Sequence, residues 1–317
     1  MRIPFSIGPQ GSKPFDIVGF GLNSVDLLTV VGEFPTNNSK QRLQRFARMP
    51  GGQMATAMVV AARLGWKARY VGSFGADEFG ALSRQSLERE GVDVMAARTV
   101  PGATNQFAVI IVDARTGKRT VLWDRHPDLS MTLEEVPGDA VTSGRMLIVD
   151  CHETAAATQA ARYAREAGIP TLIDVERVRP GISDLLQHID GIVAAQGFPE
   201  ALTGCDDPER AIEMIGREFD AGLVTVTLGE EGSLTWCGGR RIRTPGFKVD
   251  CVDSTGAGDV FRGAFAAACL RAPSGELEEA LAYASATAAL NCRALGGRAG
   301  IPDPQEVERL LATPSRL

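Results

Sequence analysis

Short apolar runs and segments with a helical period alternate along almost the whole chain. Asp16 to Gly21 (DIVGFG) is continuously apolar after its first residue, the pattern of a strand buried on both faces. Ser24–Gly32 and Gln41–Arg48 instead alternate polar and apolar positions around the turn-rich EFPTNNSK, as strands wet on one face do. Gly51-Gly52 opens an Ala-rich helix, Gln53 to Leu64, stopped by Gly65. A strand (Ala68–Gly72) and a helix (Asp77–Glu90) follow. Asn105–Asp113 and Lys118–Asp124 read as a hairpin around Arg115-Thr116-Gly117, and with the two earlier polar strands they make a small separate sheet. From Met146 the alternation is regular, with strands at Met146–Asp150, Thr171–Val175, Gly191–Ala195 and Leu223–Leu228 separated by helices, the first at Thr154–Ala167. A hairpin around Gly238-Gly239, a strand-like Phe247–Val252 and two small-residue helices, Ala257–Leu270 and Leu277–Arg293, end the pattern. This order predicts an α/β fold with a mostly parallel sheet.

Composition narrows the function classes. At 317 residues and 44% hydrophobic, the chain can bury one large core. Residues 1–13, rich in Gly and Pro, are expected as a flexible N-terminal tail and not a signal peptide, which leaves 14–317 as one domain. No apolar run reaches membrane-spanning length, so no membrane partner is expected. The formal net charge is -6 and no Lys/Arg block dominates, which argues against nucleic acid as the main partner. The six cysteines are scattered without a CxxC pair and the three histidines are dispersed. Neither a disulfide framework, a zinc site nor a Ser/His/Asp triad is signalled, and a reducing cytoplasm is the simple expectation.

The stretch Asp253-Ser254-Thr255-Gly256-Ala257-Gly258-Asp259 carries the most chemistry, because it leads straight into a helix. Glycines there let backbone N–H groups converge on one point, where the helix dipole adds positive potential. A carboxylate at Asp259 beside that point can take a proton from an alcohol, and phosphoryl transfer needs this pairing of an aimed nucleophile with donors for the transferred charge. Alone, the motif serves equally as a helix start and a turn. Three features add to it. Gly51-Gly52 repeats the helix-start pattern, either to admit a ligand's hydroxyls or to pack closely. Asp26 is either an acceptor for sugar hydroxyls or a solvated strand carboxylate. Thr227-Leu228-Gly229-Glu230-Glu231-Gly232 sits at a strand's C-terminal end, where Thr227 and Gly229 line a nucleotide pocket or simply turn the chain. Gly19-Phe20-Gly21-Leu22-Asn23-Ser24 mimics a dinucleotide fingerprint, but a polar strand follows where that motif requires a helix.

Together GGQMATAMVVAARLG and DSTGAGDVFRGAF resemble the ribokinase-like, or PfkB, family of sugar kinases, over essentially Asp16 to Pro302. Within it, FKVDCVDSTGAGDVF, the tail GGRAGIPD and Thr56, which stands where ribokinase and ketohexokinase carry a sugar-binding Asn, look like the sulfofructose kinase type, with ketohexokinases next. The turn Thr116-Gly117-Lys118-Arg119-Thr120 is similar to that of ketohexokinase. The resemblance implies a three-layer α/β/α sandwich with a small β-sheet lid from about 24–48 and 105–124, and an ATP-dependent kinase acting on a primary hydroxyl of a furanose-forming, fructose-type sugar. It makes Asp259 the base and Gly256, Ala257 and Gly258 the anion hole. Asp26, Gly51, Gly52, Thr56 and Lys40 would hold the sugar, and Thr227, Gly229 and Gly232 would flank ATP. Asp253, Thr255, Asn291, Gly296 and Gly300 match a loop for a monovalent cation such as K+. Mg2+ would accompany ATP, and the lid sheet would pair two subunits into a homodimer. Ribose, a sugar acid or a nucleoside as substrate, and a non-catalytic sugar-binding protein, stay open as alternatives.

The chain departs from the family in two places. Ala195 and Phe198 stand where many members carry a magnesium-linked Asn-x-x-Glu, so no protein ligand is assigned to the metal. Trp123 and His152 replace an Asn and an Arg expected to hold a sulfonate, leaving Lys40 alone of that set.

Overall fold

The computed structural model describes residues 1–116 and 119–313. In chain order its strands are β1 (Ile17–Phe20), β2 (Ser24–Val31), β3 (Arg45–Gly51), β4 (Ala68–Val71), β5 (Ser73–Gly75), β6 (Arg98–Val100), β7 (Phe107–Asp113) and β8 (Arg119–Asp124). They continue with β9 (Leu147–Asp150), β10 (Thr171–Val175), β11 (Gly191–Ala195), β12 (Leu223–Thr227), β13 (Ser233–Cys237) and β14 (Arg240–Thr244). Eight of them form the main sheet in the order β14-β13-β12-β11-β10-β9-β1-β4. Its strands run parallel from β4 to β12, and β13 and β14 are added antiparallel. β1 and β9 are buried at every position, because helices cover both faces of the sheet.

On one face pack the helices Gln53–Arg63, Ala257–Arg271 and Leu277–Asn291, around Met54, Met58, Val260, Phe265 and Leu281. On the other pack Thr154–Glu166, Ile182–Leu186 and Pro208–Glu218, around Ala157, Ala161, Ile182 and Ile212. The Ala257–Arg271 helix is buried nearly all round, so its small residues serve close approach, where a surface helix would show one apolar stripe. Gly263 lies against the neighbouring Gln53–Arg63 helix so closely that a Cβ there would sit 2.6 Å from the Ala57 carbonyl oxygen.

A second sheet, ordered β3-β2-β7-β8, stands apart from the first. β2 pairs antiparallel with β3 and parallel with β7, and β7 pairs antiparallel with β8. The second polar strand is displaced from its expected place at Gln41–Arg48: it begins at Arg45 and runs on to Gly51, feeding directly into the glycine pair. β8 is exposed at every residue, and Phe46, Leu122 and Trp123 leave apolar surface open on this sheet. The expected turn at Gly117 and the centre of the Thr116–Thr120 motif lie outside the described residues.

Two further expectations differ from the structure. The N-terminal segment is not a free tail at its start: Ile3 and Phe5 are buried, the Ile3 amide donates to the Gly275 carbonyl at 3.1 Å, and the Leu277 amide donates to the Met1 carbonyl. Alternating apolar side chains at 3 and 5 supply burial that Gly and Pro content did not suggest. Phe247–Val252 is not a strand either; it leaves the sheet after β14 as an extended segment lining a cavity.

Candidate active site

The chemistry-bearing residues gather at the C-terminal ends of the parallel strands, where open α/β sheets bind ligands. β1 leads through Gly21–Asn23 into β2, whose Asp26 turns its carboxylate toward Gly51. A Cβ on Gly51 would lie 2.4 Å from Asp26 Oδ2. Gly52 starts the next helix at φ 90°, and a Cβ there would meet the Asn23 backbone at 2.5 Å. Neighbouring backbone and a positive φ therefore require glycine at 52, while at Gly51 a side chain would displace the Asp26 carboxylate.

Across the site, Gly256 begins the Ala257–Arg271 helix at φ 73°, packed so tightly that a Cβ would lie 2.7 Å from the Gly297 carbonyl oxygen. No side chain caps this helix start. The Ala257 amide donates to the Ser254 carbonyl at 3.2 Å, which leaves the Gly258 and Asp259 N–H groups of the first turn for a ligand, as an anion site at a helix N-terminus requires. Asp259 sits in that first turn. Arg262, one turn on, places Nη1 3.6 Å from Asp259 Oδ1 and Nε 2.9 Å from Asp174 Oδ1 on β10. Burial pushes the Asp259 carboxyl up to about 6; Arg262 opposes the rise, and Glu176 and Asp26 add to it. Burial raises Asp26 to about 6 as well, against the pull of Arg298 and a Ser24 hydroxyl. The Asp26 charge thus reaches Asp259, and each carboxylate is poised to accept a proton near neutrality.

A cavity of about 610 Å³ opens beside this helix start. Thr227, Gly229, Gly232, Phe247, Ser254, Ala257 and Gly258 line it. Its lining places Thr227, Gly229 and Gly232 together with the loop before Asp259 and fits a planar, partly apolar group with an anionic end.

Asp253, Thr255, Asn291, Gly296 and Gly300 also come together. Asp253 Oδ1 accepts from the Thr255 amide and hydroxyl at 2.9 and 2.7 Å, and Oδ2 accepts from the Gly296 amide at 2.8 Å. Asn291 donates to the Gly297 carbonyl at 3.2 Å, while its buried Oδ1 has no partner. An orphaned amide oxygen, with the Thr255 and Gly297 carbonyls next to the same side chain, is a donor set that suits a monovalent cation. Among the described residues no cluster of three or more His, Cys, Asp or Glu could hold a divalent metal. Phe198 is fully buried.

Two candidates are not drawn to this centre. Lys40 is exposed in the loop between β2 and β3. Trp123 projects from exposed β8 and is 58% accessible. His152 is pushed down to about 4, first by burial and then by Arg179, so it carries no charge at neutral pH with which to replace an arginine.

Sequence reading missed Arg298 and Arg262. Arg298 is buried and donates to Thr56 Oγ1, Ser86 Oγ and the Gly51 carbonyl, so the Thr56 hydroxyl is already engaged by protein. Arg262 could have been found: a charged residue in the otherwise small and apolar DVFRGAFAAACL must be paired if buried. Arg298, inside a glycine-rich loop, gave no such signal.

The model of the pfkB family carbohydrate kinases matches residues 15–304. The chain is 30% identical to fructokinase-1 of Oryza sativa subsp. japonica, over 93% of this chain and 97% of that one. It superposes on ribokinase from Thermotoga maritima with a TM-score of 0.81 at 25% identity, covering 94% of this chain and 100% of that one. The Arabidopsis thaliana ribokinase solved with ribose and ATP shares the fold, with a TM-score of 0.77 at 24% identity over 94% of this chain and 99% of that one. The chain belongs to the pfkB family of carbohydrate kinases. It has the ribokinase-like fold and is a phosphotransferase.

Proposed function

We propose that this enzyme transfers the γ-phosphoryl group of ATP to a primary hydroxyl of a furanose-forming sugar, a fructose-type keto sugar before others. The observation that carries the reading is the position of Asp259. It stands in the first turn of the helix whose Ala257 and Gly258 line the cavity, within electrostatic reach of Asp26 on the opposite side. ATP is expected in the cavity, its terminal phosphate toward the N–H groups that follow Gly256. The sugar is expected over Asp26, Gly51 and Gly52, with its hydroxyl against Asp259.

In this arrangement Asp259 takes the hydroxyl proton as the oxygen attacks the phosphorus, and the amides of the helix start hold the charge on the transferred group. Magnesium would arrive with the nucleotide and neutralise phosphate charge. A monovalent cation in the Asp253–Asn291 loop would hold that loop in register with Gly256. The four-stranded sheet is read as the lid that excludes water, and its open apolar side as the surface that pairs two subunits. A relative named as a fructokinase, at 30% identity, supports fructose, and one named as a ribokinase, at 28%, supports ribose as the alternative. A cytoplasmic enzyme fits a chain with no helix long and apolar enough to cross a membrane among the described residues.

The test is ADP release measured with Mg-ATP over fructose, ribose, sugar acids, nucleosides and phosphorylated or sulfonated ketoses. Fructose or a fructose derivative should give the highest kcat/KM. Sugar binding without any ADP release would instead identify a sugar-binding protein.

A further inference from the structure

Arg298 is a cation with no solvent to hold it and three protein acceptors. Nε donates to Thr56 Oγ1 at 3.0 Å, Nη1 to Ser86 Oγ at 3.2 Å, and Nη2 to the Gly51 carbonyl. Those acceptors belong to three pieces of chain: the helix after the glycine pair, the Glu78–Arg89 helix, and the end of β3. The backbone of Arg298 is held in turn, since its carbonyl accepts from Arg63 Nη1 at 3.1 Å while Arg63 is paired with Glu90 at 2.6 Å.

The two residues before Arg298 reach the other half of the site. The Gly296 amide donates to Asp253, and the Gly297 carbonyl lies where a Cβ on Gly256 would stand, 2.7 Å away. Three consecutive residues therefore touch both helix starts. The guanidinium fixes the carbonyl of Gly51, whose Cα faces Asp26 so closely that no side chain fits between them. A planar fork with donors in set directions can hold such a turn from beneath, which an ammonium cannot do at three points.

We propose that Arg298 is a positioning residue for the acceptor sugar: it sets the Gly51-Gly52 turn against Asp26 and, through Gly296 and Gly297, keeps that turn in register with the loop before Asp259. The inference rests on the kinase reading above, because it assigns the acceptor to the Asp26 side. It acts through Gly51, with the guanidinium itself committed to protein.

The experiment compares wild type, Arg298→Met, Arg298→Lys and Thr56→Val, using D-fructose and Mg-ATP, with thermal melting of each. Arg298→Met should raise the fructose KM at least tenfold with the ATP KM within threefold. Arg298→Lys should recover part of that loss. Thr56→Val, which removes one acceptor and leaves the charge, should raise the fructose KM a few-fold. A purely structural arginine would lower the melting temperature and move both KM values together, or neither, and that result overturns the proposal. If Arg298→Met fails to fold, an unchanged fructose KM in Thr56→Val overturns it. If wild type releases no ADP, calorimetric binding of fructose replaces KM. Loss of that binding in the variants, with ATP binding kept, then supports the proposal even as the kinase reading fails. Absence of fructose binding by wild type rejects the proposal for this sugar.

Discussion

Two helices of this enzyme both begin at a glycine with positive φ, and the proposed mechanism gives them different work. The Gln53–Arg63 helix starts at Gly52 and the Ala257–Arg271 helix at Gly256, both at positive φ but with ψ of 134° and 0°, and neither with a side-chain cap. The first has no acidic residue in its opening turn, and its carboxylate, Asp26, comes from a neighbouring strand. The second carries Asp259 within the turn itself. An uncapped start offers hydrogen-bond donors to whatever arrives. Where the carboxylate is built in, a proton can be taken at the point where charge is transferred; where it stands opposite, hydroxyls can be gripped between acceptor and donors. On the proposed mechanism a glycine start without a side-chain cap serves a catalytic end in one helix and a recognition end in the other.

The sharpest test of this division is Asp259→Asn, which should lower kcat by about 10³-fold or more while ATP binding by calorimetry stays within about threefold. A loss smaller than about tenfold would show that the base lies elsewhere. Since burial holds the ionised form of Asp259 at a disadvantage, its folded pKa is above the unfolded value, and stability falls as pH rises through about 6. The Asn variant should therefore melt higher than wild type at pH 7 and lose that advantage below pH 4.

Next in size is the paired glycine experiment. Gly256→Ala should cut kcat and weaken ATP, whereas Gly52→Ala should chiefly raise the sugar KM. Each meets backbone, not a movable side chain, and should cost about 2–4 kcal/mol of stability by urea unfolding. Identical kinetic signatures for the two would erase the distinction drawn here. Asp26→Asn should raise the sugar KM by roughly tenfold to a hundredfold, the worth of one hydrogen bond to a charged group, with a smaller change in kcat.

A milder outcome concerns pH. On the proposed mechanism, wild-type kcat/KM should fall on the acid side of about pH 6, because protonation would cost Asp259 its role as base and Asp26 its role as acceptor. Asp26→Asn should leave that limb with unit slope, reporting Asp259 alone. Smallest of all, Lys40→Ala should leave the KM for a neutral sugar within about twofold, as befits an exposed loop side chain.

The architecture was readable because it rests on period and punctuation: buried strands such as DIVGFG and LIVD are apolar runs, and Gly65 and Gly91 mark helix ends. The helix start at Gly256 with Asp259 in its first turn was legible because both lie in one short run of adjacent residues. What stayed hidden joins distant segments. Arg298 meets Gly51 and Thr56 more than 240 residues away, a relation that no local pattern encodes. The displacement of β3 toward Gly51 and the seating of Ile3 and Phe5 follow from pairing and burial that only the assembled sheets supply. Phe247–Val252 has strand-like side chains but leaves the sheet after β14 to wall the cavity.

The seat of Gly263 against the Ala57 carbonyl has a practical outcome for anyone wishing to retarget the enzyme. It locks the two helices into a single rigid block, so enlarging the binding space from below would part them and cost both ends at once. Tolerance for new shapes belongs overhead, in the exposed strand 119–124 and the loop bearing Lys40, where libraries of variants can be spent without disturbing the floor.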